Sequence, residues 1–257
     1  VGLAADASAQ TRQVVAYWGL LEDYEFDETL TKLDFPADVD ATVAGNANLQ
    51  AFLGDPENLD HNGGSGFDYT SPISGQFYAG SRTIKYDDVR GGGDDFDIDG
   101  TTEFSIDRND GMGPQVGTFG NDGLMYVTMD GSGWTDFEVR FDIEGAPDSL
   151  PNTFDIFYRV GGSGPWFRDG NQNNIPLTFE EYDPPDPENQ FASSGQILLP
   201  MALNGQSQIE LLISDFAENG NDEMEIDNLE ISALPIPEPS ALVLLGMAGL
   251  ALLRRRR

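Results

Sequence analysis

From residue 136 to residue 143 the chain alternates without a fault. Phe137, Val139, Phe141 and Ile143 stand on one side, and Asp136, Glu138, Arg140 and Asp142 on the other. Successive side chains of a strand point to opposite faces, so a slip of one residue would bury four charges. That register is fixed by the sequence alone. Residues 153–160 continue the pattern, with Phe154, Ile156, Tyr158 and Val160 on one face. Helical periodicity is nearly absent from the rest of the body. Short apolar alternations punctuated by Gly, Asp, Asn and Pro replace it, and they predict an all-β sandwich or barrel.

Strands are expected at 13–20, 76–79, 83–89, 102–107, 124–129, 196–199, 208–214 and 224–231, alongside the two segments above. Residues 30–52 are ambiguous and could include a short helix. Residues 59–71, rich in Gly, Asn and Asp, read as loop, and Pro184-Pro185-Asp186-Pro187 as a rigid surface excursion. About ten strands at mostly meander spacing predict a two-sheet jelly-roll sandwich over residues 10–234.

Composition narrows the partners. There are 45 acidic residues against 13 basic ones, a formal charge of −32. A body so acidic repels nucleic acid and anionic lipid headgroups, which excludes both as its partners. With no cysteine, neither disulfides nor thiolate sites are available. The remaining partners for such a surface are divalent cations, a saline medium, or water itself.

The two ends of the chain differ from the body. Val1-Gly2-Leu3-Ala4-Ala5 followed by Ala7-Ser8-Ala9 looks like the end of a secretory signal peptide cleaved before Gln10, so residues 1–9 read as its remnant. At the other end, Pro235, Pro237 and Pro239 hold the chain extended. The run from Ala241 to Leu253 carries no charge, and Arg254, Arg255, Arg256 and Arg257 close it. A helix with no polar face belongs in lipid or in a large core, and an arginine cluster stays on the cytoplasmic side. As a helix the apolar run spans ~20 Å, short of the ~30 Å hydrocarbon layer, so it is a marginal permanent anchor.

This tail resembles the PEP-CTERM sorting signal of bacterial exported proteins: Pro237-Glu238-Pro239, a short hydrophobic helix, then a basic terminus. The resemblance covers about the last 20 residues. It implies that residues 235–257 are recognised by a membrane transpeptidase-like enzyme, the exosortase, which cuts near the motif. The inner membrane would hold the precursor only until then. The body would be left in the cell envelope or an exopolysaccharide matrix. The body itself is similar, more diffusely, to galactose-binding-like and concanavalin-like sandwiches, through Val15-Ala16-Tyr17-Trp18, Gly133-Trp134-Thr135-Asp136 and Ile226-Asp227-Asn228-Leu229-Glu230-Ile231.

Three sites are candidates. Asp95, Asp97 and Asp99 alternate before Gly100, with Glu103 at the ninth position of a calcium-loop count, but the twelfth position is Ile106 and the closing carboxylate is missing. Calcium is the cofactor this segment would take; the competing reading is an acidic strand edge. Glu225, Asp227 and Glu230 fit the E-x-D-x-x-E pattern of a glycoside hydrolase family on a concanavalin-like sandwich. The resemblance would make them nucleophile, modulator and acid/base, brought to one face by a bulge near Asn228. That bulge would equally turn Ile226, Leu229 and Ile231 to the core without any catalysis. The pattern also lies in the final strand before the tail, not mid-chain in an aromatic cleft. Trp166, in a Gly/Pro turn with Phe167 and Tyr182 behind it, is the best candidate for an exposed sugar-stacking aromatic, the competing reading being a loop tryptophan that caps the sandwich end; Trp18 and Trp134 are expected in the core. His61 is the only histidine and has no triad partners beside it, and Gly91-Gly92-Gly93 lacks the lysine of a phosphate loop. A non-catalytic envelope or matrix protein, structural, adhesive or carbohydrate-binding, is the expectation; a secreted glycoside hydrolase is the rival.

Overall fold

The computed structural model describes residues 10–19, 32–52, 59–63, 68–80, 82–90, 124–145, 151, 153–163, 166–167, 175–180, 190–217 and 221–237. In chain order its strands are β1 (Gln13–Trp18), β2 (Lys32–Pro36), β3 (Val39–Asp40), β4 (Asn48–Phe52), β5 (Leu59–Gly63) and β6 (Tyr69–Thr70). Next come β7 (Phe77–Tyr78), β8 (Arg82–Arg90), β9 (Leu124–Met129), β10 (Trp134–Gly145), β11 (Thr153–Val160) and β12 (Ile175–Pro176). The last are β13 (Thr178–Glu180), β14 (Gln190–Ser193), β15 (Ile197–Leu198), β16 (Ile209–Ala217) and β17 (Asn221–Pro235). A single 3-10 turn, Met201–Leu203, lies between β15 and β16.

Two antiparallel sheets face each other, which is the all-β sandwich the patterning predicts. The first runs β13-β14-β10-β17-β1-β3, with β8 and β5 branching from β17 and β15 from β10; the second runs β12-β11-β16-β9-β4-β2. The β6–β7 hairpin forms a small third sheet. The inward residues of β10 behave as their alternation requires: Phe137, Val139, Phe141 and Ile143 are all buried in the main core. Phe141 meets Phe154 of the opposite sheet edge-to-face at 4.9 Å, so the two predicted alternations pack against each other. Trp18 is also buried there and donates its indole N–H to the Phe35 carbonyl at 2.9 Å, while Trp134 is half-buried against the core.

β17 is the axis of the first sheet. One edge pairs β10 along most of its length; the other pairs β8 through Asn221–Ile226 and then β1 through Leu229–Ala233. Where the partner changes, Asn228 takes φ 55 and the β10 register shifts between Arg140 and Asp142. This is a bulge at the position the sequence suggests, and it sends Ile226, Leu229 and Ile231 into the core as expected.

Two local expectations are corrected. Residues 32–52 form three strands with no helix: Leu49 and Ala51 of β4 are buried beside Phe35 of β2. Asp40 organises the intervening turn by accepting from the Thr42 and Ala47 amides, each at 2.9 Å. Leu59–Gly63 is strand and not loop, because β8 supplies a partner for its whole length. Strand formation follows the neighbouring edge more than the residues' own propensity. The apolar run 241–253, the segment 1–9 and the strand expected at 102–107 lie outside the described residues. Among the described residues no helix is long and apolar enough to cross a membrane.

Candidate functional site

The face of β17 turned away from the core carries Glu225, Asp227 and Glu230, so the bulge does bring the three carboxylate positions to one side. Their surroundings differ. Glu225 is half-buried and accepts from the Thr83 hydroxyl at 2.7 Å. Asp227 and Glu230 are each 2% exposed. Asn228 knits the bulge: its amide donates to Asp227 Oδ1 at 2.6 Å, and its Oδ1 accepts from the Tyr17 hydroxyl at 2.7 Å. Its Nδ2 reaches Asp142 Oδ2 at 3.4 Å, and Arg140 Nη2 donates to Asp142 Oδ1 at 3.1 Å.

The β6–β7 hairpin closes this face. Tyr78 stacks on Tyr17 at 4.1 Å between centroids, Tyr69 stacks on Tyr17 at 5.7 Å, and the Arg140 guanidinium lies 5.2 Å from the Tyr69 ring centre. The hairpin is itself tied by Ser71, whose hydroxyl accepts from the Ile73 and Ser74 amides. Burial pushes the Glu230 carboxyl above its ordinary value, against the opposing pull of the Ser71 and Tyr69 hydroxyls and Arg140. Among the described residues neither Glu230 Oε2 nor the Tyr69 hydroxyl has a hydrogen bond of normal geometry. Asp142 is raised for the same first reason, with Arg140 opposing. The Tyr17 and Tyr69 phenols are driven well above their usual range by burial, and next by Asp227 and Glu230 respectively.

This arrangement is a covered polar seam. Retaining glycoside hydrolysis requires a nucleophile and an acid/base flanking a bound sugar. Here two of the three carboxyl groups are buried, and Glu230 lies against Tyr69 and Ser71 of the hairpin. The residues whose part in this site sequence reasoning missed are Arg140, Asp142, Tyr69 and Tyr78. One signal pointed to them: Tyr17 and Trp18 are adjacent aromatics, which in a strand means that both faces are covered.

The opposite outer face, on the second sheet, holds Trp166. Contrary to the expectation of an exposed platform, it is 2% exposed. The cause is local: Phe167 bridges back to Tyr158, with hydrogen bonds of 2.8 and 2.9 Å in the two directions, and this folds the turn onto β11. The indole then lies 4.6 Å from the Arg159 guanidinium and edge-on to Tyr126 at 6.2 Å. Arg159 grips Glu210 through both Nε and Nη2, and the Tyr126 hydroxyl donates to the same carboxylate. Phe167, 50% exposed, is the aromatic that faces solvent there. Tyr182 and the calcium candidates Asp95, Asp97, Asp99 and Glu103 lie outside the described residues. Among the described residues no group of three or more His, Asp or Glu side chains is placed to hold a metal ion.

The third region is the exit of the chain. β17 runs to Pro235, opposite Trp134, and the Ile236 amide still donates to the Gly133 carbonyl at 2.7 Å. Pro237 is exposed; Glu238, Pro239 and Arg254 to Arg257 lie outside the described residues.

These features define an acidic two-sheet β-sandwich. Residues 235–257 match the PEP-CTERM protein-sorting motif, which implies export, processing by an exosortase and delivery to the envelope or exterior. No curated protein matches the chain. Among solved structures, the enzymatically active domain of tailspike protein 4 of bacteriophage CBA120 is similar at 10% identity and a TM-score of 0.33. That match takes in 73% of this chain but only 19% of the other, and it carries no functional argument.

Proposed function

We propose that this chain is a non-catalytic component of the cell envelope or extracellular matrix, structural or adhesive, which binds carbohydrate through its acidic surface with calcium as a bridging ion. Export and sorting follow from the motif at 235–257. The observation that supports a non-catalytic body is the burial of Asp227 and of Glu230, the latter against Tyr69 and Ser71 of the hairpin. A sugar cannot lie between carboxylates of which two are already buried. The charge of −32 suits calcium bridging to acidic polysaccharide, since a divalent cation links two anionic partners that would otherwise repel. Polysaccharide arrays probed with the protein, with and without millimolar calcium, test the reading. Retention that needs calcium, with no reducing sugar released, is the expected result. Release of sugar that Glu225→Gln abolishes would establish the hydrolase instead.

A further inference from the structure

Strand register sets one row of side chains across the outward face of the first sheet. Tyr17 of β1 lies opposite Glu230 of β17, and Glu230 lies opposite Arg140 of β10. The β6–β7 hairpin sits on this row: Tyr69 and Tyr78 stack on Tyr17, Arg140 lies over the Tyr69 ring, and Ser71 and Tyr69 come against Glu230. Among the described residues the hairpin is a sheet of its own, and its backbone bonds close on itself. The Ser71 amide donates to the Gln76 carbonyl and the Gly75 amide to the Ser71 carbonyl, each at 2.9 Å, and the Gly80 amide to Asp68 Oδ1 at 3.1 Å. Two paired strands of 2 residues each are marginal in water by themselves. The hairpin's order therefore depends on side-chain docking to the row.

That docking buries a carboxyl it does not fully serve. Glu230 is 2% exposed and Tyr69 4%, and among the described residues Glu230 Oε2, the Tyr69 hydroxyl and Arg140 Nε have no hydrogen-bond partner. Arg140 gives its Nη2 to Asp142 Oδ1 at 3.1 Å instead. The other carboxylates around the interface are provided for. Asp142 also has the Asn228 side-chain amide, Asp227 the Asn228 backbone amide, Asp38 the Gly19 amide, Asp68 the Gly80 amide, and Glu138 the Arg12 guanidinium. The Tyr17, Tyr69 and Tyr78 phenols are raised by burial and stay neutral at ordinary pH. An ionised Glu230 under the hairpin loses hydration that the interface does not replace at Oε2, whereas the neutral acid loses far less. We propose that the β6–β7 hairpin is a proton-operated cover on this row: a proton from solvent on Glu230 seats it, and loss of that proton to solvent releases it. Burial holds the seated carboxyl above its ordinary value, and hydration on opening returns it. Seating is fully favoured below the open-state carboxylate range and weakens as pH rises through the seated value.

Hydrogen exchange on the full chain, with each amide's rate corrected for its intrinsic pH dependence, reads the hairpin directly. Amide protection over residues 69–78 should fall roughly tenfold between about pH 5 and about pH 8, while protection in β11 and β16 of the second sheet holds. Glu230→Gln, neutral at both ends of the range, should keep the hairpin protected throughout. Tyr69→Phe, which keeps the stacked ring and removes only the hydroxyl, should leave the pH response in place. Hairpin protection that does not change with pH, or a response that survives Glu230→Gln or vanishes with Tyr69→Phe, overturns the proposal. If Glu230→Gln does not fold, the wild-type comparison of the hairpin with β11 and β16 decides alone.

Discussion

The two outer faces of the sandwich hold their buried ion pairs in different surroundings. On the second sheet Arg159 pairs with Glu210, and Tyr126 and Trp166 close around them. On the first sheet Arg140 faces two carboxylates, Asp142 and Glu230, with Asn228 and the tyrosine hairpin closing around them. Burial raises the Asp142 and Glu230 carboxyls, so the first-sheet seam relaxes by taking up a proton. Stability and pH response should therefore separate by face.

The largest effect should come from Trp166→Ala. Emptying a buried indole site typically costs about 3–5 kcal/mol, and here it also uncovers Arg159. Denaturant unfolding checks it, and a loss under about 1 kcal/mol would mean that Trp166 is not a packing residue. Next is Arg159→Met, which strands Glu210 at 5% side-chain exposure; breaking one side of a buried pair costs roughly 3 kcal/mol.

On the acid-rich face Tyr17→Phe removes the hydroxyl that Asn228 accepts from, and the expected loss is about 1–2 kcal/mol. The smallest effect carries the sign that separates the faces. Glu230 and Asp142 have folded pKa values raised above their unfolded ones by burial. The folded state thus holds protons more tightly. The stabilising contribution is complete below the unfolded carboxylate range and is lost as pH rises through the folded values. Thermal unfolding should show stability increasing as pH falls from neutral towards the carboxylate range. Glu230→Gln should flatten that slope and gain about 1 kcal/mol at neutral pH. A slope unchanged by the substitution would break the comparison.

Much of the sandwich was legible because one-sided alternation leaves only one register. Phe137 to Ile143 and Phe154 to Val160 are cases of this, and the bulge at Asn228 was readable because Ile226, Leu229 and Ile231 cannot share a face without it. Strands that exist because a neighbour offers an edge were not legible: Leu59–Gly63 is polar and glycine-rich, and Ile175–Pro176 carries a proline that only an edge accepts. The site residues failed in the same way. Trp166 reads as a loop tryptophan until Phe167 folds it over Arg159, a pairing set by tertiary contact alone. Likewise the outward residues of β10 look solvent-facing until the hairpin covers them, and hairpin docking leaves no periodic trace.

The account as a whole rests on the sandwich ending at Pro237, with everything beyond it serving as an address. Deleting residues 238–257 and following both unfolding temperature and location in the host tests that most directly. The account predicts a body with unchanged unfolding temperature that is exported but no longer delivered to its envelope or matrix site. A truncated chain that unfolds at lower temperature, or one delivered as before, would contradict it.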